Sequence, residues 1–295
     1  MAPSYLTRRS GREERLRIRG LEHRLTRWGE PGRAPILLLH GFMDSGLTWQ
    51  FLVDCLPQDW SFVAVDWRGF GASERAPGGY WFPDYLADLD ALLEALVPHE
   101  PARVIGHSMG GNVASIYAGV RPQRLAWLVN LEGLGLPRTS PDAASQRYAQ
   151  WLDQVRTPPV QRRYDSLEQL VAILRARNAR LSEDKARFIA AAWTQRVETG
   201  YELAADPAHA WVNPVLYRRE EAEACWRRIT VPVLLVLGEL TDHGARLGAD
   251  ATDEYWRSVY QTVRIVTVAG VGHMMHHEDP AGVARHIVEF VRAVG

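Results

Sequence analysis

Residues 102–120, ARVIGHSMGGNVASIYAGV, decide the fold. Ala102, Arg103, Val104 and Ile105 read as the end of a strand, and Asn112 onward reads as a helix, so Ser108 falls at a strand-to-helix junction among Gly106, Gly110 and Gly111. Such a turn holds a serine in a strained conformation with its hydroxyl exposed, while the small neighbours let strand and helix approach each other. A strand that feeds directly into a helix also predicts a parallel sheet with crossover helices.

Other segments repeat the pattern on both sides. Short apolar runs at 35–39, 61–65, 125–131, 231–237 and 263–268 alternate with helical stretches. Each ends where polar or glycine-rich sequence begins: His40-Gly41, Asp66, Glu132-Gly133, Gly238-Glu239 and Gly270. In open α/β sheets ligands bind beyond the carboxyl ends of the strands, so these endings are expected to converge. Residues 134–228 read as a helical insertion, with Leu167, Leu170, Val171 and Leu174 at helical spacing and Ser182 as a helix cap. The expected organisation is a core of 1–133 and 229–295 with a helical cap at 134–228. The first 15 or so residues are expected to be loosely ordered.

Composition narrows the function classes. With 46% hydrophobic residues in 295, the chain can bury a large core, and a net charge of −1 gives no global field for nucleic acid. Cys55 and Cys225 form neither a disulfide framework nor a zinc pattern. No run approaches the roughly 20 apolar residues of a spanning helix, and the Arg-rich start, interrupted by Glu13 and Glu14, lacks the apolar stretch of a signal peptide. A cytoplasmic protein without membrane insertion is the expectation.

A serine hydroxyl needs a base to take its proton. His273, in VAGVGHMMHHEDP just beyond the last predicted strand, is the candidate. The neighbouring His276 and His277 invite a metal reading, but no acidic ligands accompany them at familiar spacing, so no metal is expected. Acyl chemistry also needs two backbone donors for an oxyanion: the amide after the serine, Met109, and that of Phe42 in the loop after 35–39. Trp151, Trp193, Tyr201, Trp211 and Tyr217 read mainly as the core of the insert, a minority facing the site.

Five segments together resemble the α/β-hydrolase superfamily: LLLHGF (37–42), DWRGFGAS (66–73), GHSMGG (106–111), VPVLLVLGE (231–239) and GVGHMMHHEDP (270–280). The resemblance runs from about 36 to 291, and LVNLEGLGLP (128–137) is similar to its serine hydrolase-like group. It implies an α/β-hydrolase fold with a mostly parallel eight-stranded sheet, a helical cap after the sixth strand, no cofactor and acyl transfer through Ser108, and it implies that Asp66 and Arg68 tie loops together and have a structural role. It also implies an acid a few residues past the seventh strand. Asp242 is the expected residue, one position later than the usual Gly-x-x-Asp; Glu132 is the alternative and Glu239 the third choice. The expected substrate is a small or medium hydrophobic carboxylic ester, handled by a monomer or homodimer. Carbon–carbon, thioester or lactone cleavage and noncatalytic ligand binding are the alternatives.

Overall fold

The computed structural model describes residues 4–30 and 32–295. The described chain opens on a charged antiparallel pair, β1 (Arg12–Ile18) and β2 (Leu21–Trp28). It continues through β3 (Ile36–Leu39), α1 (Gln50–Val53), β4 (Phe62–Val65), α2 (Phe82–Leu96), β5 (Ala102–His107), α3 (Met109–Val120) and β6 (Leu125–Leu131). Every residue of β3 and β4 is buried, and β5 and β6 each have one partly exposed position. Continuous apolar runs of this kind belong to strands covered on both faces.

The insert follows: α4 (Ala144–Arg156), β7 (Arg163–Tyr164), α5 (Leu167–Arg177), α6 (Glu183–Trp193), β8 (Thr194–Arg196), β9 (Tyr201–Leu203) and α7 (Arg219–Trp226). The chain then returns through β10 (Val233–Gly238), α8 (His243–Leu247), α9 (Asp253–Val259), β11 (Val263–Val268), α10 (Met275–Glu278) and α11 (Pro280–Val294). The main sheet has eight strands in the order β1-β2-β4-β3-β5-β6-β10-β11. Contacts from β4 onward are parallel, and only those of β2 are antiparallel.

Alternate residues feed two cores. Leu37, Leu39, Val63, Val65 and Val104 pack with α2, α3 and α9 on one face; Ile36, Leu38, Phe62, Ala64 and Ile105 pack with α1 and α11 on the other. This is the period-two alternation of a strand acting as a two-sided wall.

Three features differ from the sequence reading. Residues 1–3 lie outside the description, but 4–11 are held: the amides of Arg8 and Arg9 and the hydroxyl of Tyr5 all donate to Asp54, and the Arg9 guanidinium donates to the Trp60 carbonyl at 2.6 Å. The insert, read as helical, also contains a small antiparallel sheet, β7-β9-β8, whose strands are too short to show a period. Leu170, Val171, Ile189 and Ala190 form the insert's own core with Phe51. Its attachments are specific: Trp193 Nε1 donates to Asp44 (2.8 Å), Lys185 Nζ to the His277 carbonyl (2.7 Å) and Arg180 Nε to Glu278 (2.5 Å). By contrast, α7 belongs to the main layer, with Trp226 buried in the core beside α3. No helix among the described residues is long and apolar enough to cross a membrane.

Candidate active site

Ser108 stands between β5 and α3 with φ +48° and ψ −112°, a conformation L-residues adopt only under constraint. The constraint is visible. Its amide donates to the Leu131 carbonyl at 2.8 Å, and its carbonyl accepts from the Asn112 amide at 2.9 Å. Glycine at 110 is obligatory, because a Cβ there would come within 2.1 Å of the Leu39 carbonyl oxygen.

His273, in the loop between β11 and α10, meets Ser108 Oγ through Nε2 at 3.0 Å. Its Nδ1 lies 2.6 Å from Glu132 Oε2. Because a carboxylate only accepts, Nδ1 carries the proton and donates, which leaves Nε2 free to accept from the serine. The carboxylate facing His273 is therefore Glu132, the alternative candidate, at the end of β6.

Asp242, the expected acid, is elsewhere. Its Oδ1 accepts from the Ala245 amide at 2.8 Å and caps α8. The turn after β10 is fixed by Leu240 donating to the Val271 carbonyl, and Thr241 Oγ1 points at Glu132, so the extra residue carries Asp242 past His273. Glu239 accepts from the Gly270 amide on the exposed side. Glu132 is fully enclosed, with its side chain at 0% exposure, and Oε1 accepts from the Gly238 amide at 2.6 Å. His243 Nε2 also lies 3.3 Å from Oε1, though poorly aligned for a hydrogen bond. Burial opposes ionisation of this carboxyl, but the imidazoles of His243 and His273 and the Gly238 amide outweigh it and hold the pKa down to about 2.

Two buried histidines whose roles the sequence did not show, His40 and His107, hold the backbone around Ser108. His40 is fully buried; its Nε2 accepts from the Trp67 amide at 3.0 Å, so its Nδ1 carries the proton and donates to the Gly41 carbonyl at 2.7 Å. In a trans peptide the next N–H points opposite to that carbonyl, so His40 sets the direction of the Phe42 amide. Gly41 packs so closely that a Cβ there would lie 3.1 Å from the Ser108 Cβ. The Met109 amide begins α3, whose N-terminal end carries partial positive charge. His107 donates from Nε2 to the His273 carbonyl at 2.8 Å and so steadies the loop bearing His273. Burial keeps His40 and His107 neutral, His107 well below the usual imidazole range.

The other sequence candidates have structural roles. Asp66 accepts from the amides of Gly46 and Ala72 and pairs with Arg24 at 2.6 Å, while Arg68 grips Asp88 with two nitrogens. The histidine run does have an acidic neighbour, from a distant loop: Asp44 Oδ2 lies 3.3 Å from His276 Nε2 and 3.5 Å from His277 Nε2. Asp44, His107 and His276 offer three buried donor atoms within 4.8 Å of one another, against about 3.4 Å between tetrahedral zinc ligands. Asp44 Oδ1 accepts from Thr48 Oγ1, the Ser45 amide and Trp193 Nε1, which leaves Oδ2 to the histidines.

The family model described as alpha/beta hydrolase fold matches residues 34–280. The chain belongs to the alpha/beta hydrolase fold family. Within that family it is 29% identical to a serine hydrolase-like protein of Danio rerio, over 97% of this chain and 90% of the other. It is 26% identical to a putative 2-succinyl-6-hydroxy-2,4-cyclohexadiene-1-carboxylate synthase of Bacillus subtilis, over 93% and 96% respectively. Among solved structures, the thioesterase domain from the curacin biosynthetic pathway superposes with a TM-score of 0.81 at 25% identity, covering 95% of this chain and 99% of that one. The eight-stranded sheet of this alpha/beta hydrolase is the one its sequence motifs implied.

Proposed function

We propose that the protein is a serine hydrolase of small or medium hydrophobic carboxylic esters, with Ser108 as nucleophile and His273 as general base. The observation that carries the reading is the continuous relay from Ser108 Oγ through His273 to Glu132, at 3.0 and 2.6 Å. Ser108 attacks the ester carbonyl as His273 Nε2 takes its proton; the amides of Phe42 and Met109 receive the oxyanion; His273 then returns the proton to the departing alcohol. Water, deprotonated by the same imidazole, releases the acyl group and restores Ser108. Glu132 holds the imidazole tautomer and stabilises the imidazolium.

An apolar substrate fits the surroundings. Phe42, Leu136 and Leu240, each from a loop at the carboxyl edge of the sheet, are 53%, 47% and 54% exposed. We place the insert over this edge as a cap and the protein in the cytoplasm. The relatives' names span several substrates, so they do not select an acyl group, and thioester cleavage is the second reading because the thioesterase domain superposes over nearly the full length.

The test is turnover of p-nitrophenyl esters of increasing acyl length by the protein and by Ser108→Ala, with a fluorophosphonate probe to label the nucleophile. Turnover and labelling are expected in the native protein and lost together in the variant. Equal turnover by both would end the proposal.

A further inference from the structure

A cavity of about 210 Å³ lies between the insert and the loop that follows β3. It is bounded by Met43 and Asp44 on the loop, and by Tyr164, Leu170, Leu174 and Trp193 on the insert. The cavity wall stops short of Ser108 and His273; Met43, which lines it, directly follows Phe42 in the chain. Two further lining side chains are the exposed Arg162 and Arg177.

These arginines differ from those around them. Arg163 pairs with Glu202, Arg175 with Glu183, Arg180 with Glu278 and Arg187 with Glu168. No carboxylate among the described residues pairs with Arg162 or Arg177. Asp44 is the one acid of the lining, and its oxygens are turned inward to Thr48, Trp193, the Ser45 amide and His276. The cavity thus combines apolar walls with two guanidinium groups that have no counter-charge, the fork geometry that suits a carboxylate. Its volume is below the roughly 300–1,000 Å³ of drug-sized ligand pockets, which fits a short chain rather than a nucleotide-bearing group.

We propose that Arg162 and Arg177 anchor a carboxylate at the far end of the substrate's acyl group, so that the preferred substrates are half-esters of short dicarboxylic acids. The acyl methylenes lie along Tyr164, Leu170 and Trp193 while the ester carbonyl reaches Ser108. The inference rests on the ester-hydrolase reading above and changes its acyl group from wholly apolar to apolar along its length with a charged end. Both guanidinium groups are exposed, so salt screens the attraction and the preference is strongest at low ionic strength.

The experiment compares mono-p-nitrophenyl glutarate with p-nitrophenyl pentanoate, which has the same chain length without the charge, on the native protein and on Arg162→Gln/Arg177→Gln. The native protein is expected to favour the glutarate ester, and the double variant to show a KM for it raised about tenfold or more, with kcat and all pentanoate kinetics unchanged. Equal losses on both esters, or no loss on either, would overturn the anchor. Calorimetric titration of monomethyl glutarate into Ser108→Ala, with and without the arginine substitutions, reads the anchor independently of turnover. Binding that disappears with the arginines supports it even where neither ester is cleaved, a result that would count against the hydrolase reading alone; absence of binding to Ser108→Ala would overturn it.

Discussion

At the residue scale, two carboxylates compete for one role, and the structure separates them by what each already holds. Glu132 faces His273 Nδ1, whereas Asp242 caps α8. Glu132→Gln is expected to lower kcat by roughly 10³–10⁴, because an amide at this position no longer enforces the Nδ1–H tautomer. Asp242→Ala is expected to leave kcat within a few-fold and to cost about 1 kcal/mol of stability, the value of a lost helix cap. Steady-state kinetics and thermal melts on the pair of variants check both. The family resemblance pointed to Asp242; β6 and β10 are neighbours, so the loops beyond them deliver carboxylates to the same edge of the sheet. Sequence spacing does not resolve that choice. A cue was present in Asp242-His243-Gly244-Ala245, which reads as a helix start. Ser108 and His273 were legible because the chemistry needs those residue types at the ends of strands. His40 and His107 were not, because their roles lie in hydrogen bonds to backbone carbonyls.

At the scale of elements, legibility followed burial. The runs that became β3, β4, β5, β6, β10 and β11 stood out because most are covered on both faces. β1, written REERLRI, carries exposed charges, and β2, written LEHRLTRW, buries polar residues such as His23 and Arg24, so neither gave such a signal. The insert is unevenly secured: α5 and α6 contribute to a shared core, while α4 has no buried residue. Hydrogen exchange followed by mass spectrometry is expected to find α4 amides exchanging at least about 100-fold faster than those of β3, β5 and β6, with α5 and α6 between. Comparable protection in α4 would show that something covers its apolar Tyr148, Leu152 and Val155, which are 49%, 49% and 39% exposed.

For the molecule as a whole, the buried histidines make stability depend on pH. His209 is stacked between Phe70 and Tyr80 at 3.7 and 3.6 Å, and burial, opposed by the charge of Asp206, lowers its pKa to about 3. Burial likewise lowers His276 to about 4. A histidine held neutral in the fold takes up a proton on unfolding once the pH drops below about 6.5, so stability is full above that value and declines toward 3–4. Glu132, depressed to about 2, adds a loss in the same direction below its unfolded value near 4.5. Thermal melts from pH 8 to 4 are expected to show Tm falling below pH 6.5. His209→Gln should flatten that fall by up to about 1.4 kcal/mol per pH unit.

Ser108 and Glu132 stand at the ends of adjoining strands, β5 and β6, tied by the Ser108 amide to the Leu131 carbonyl. Their separation is therefore set by the spacing of the sheet, which is as rigid as the sheet itself. His273 alone arrives on a loop, held by the His107 contact to its carbonyl and the Glu132 contact to its ring. Warming or mild denaturant should disconnect that arm first, so the protein would fall silent while its far-UV spectrum remained intact, and cooling would restore activity without any refolding step.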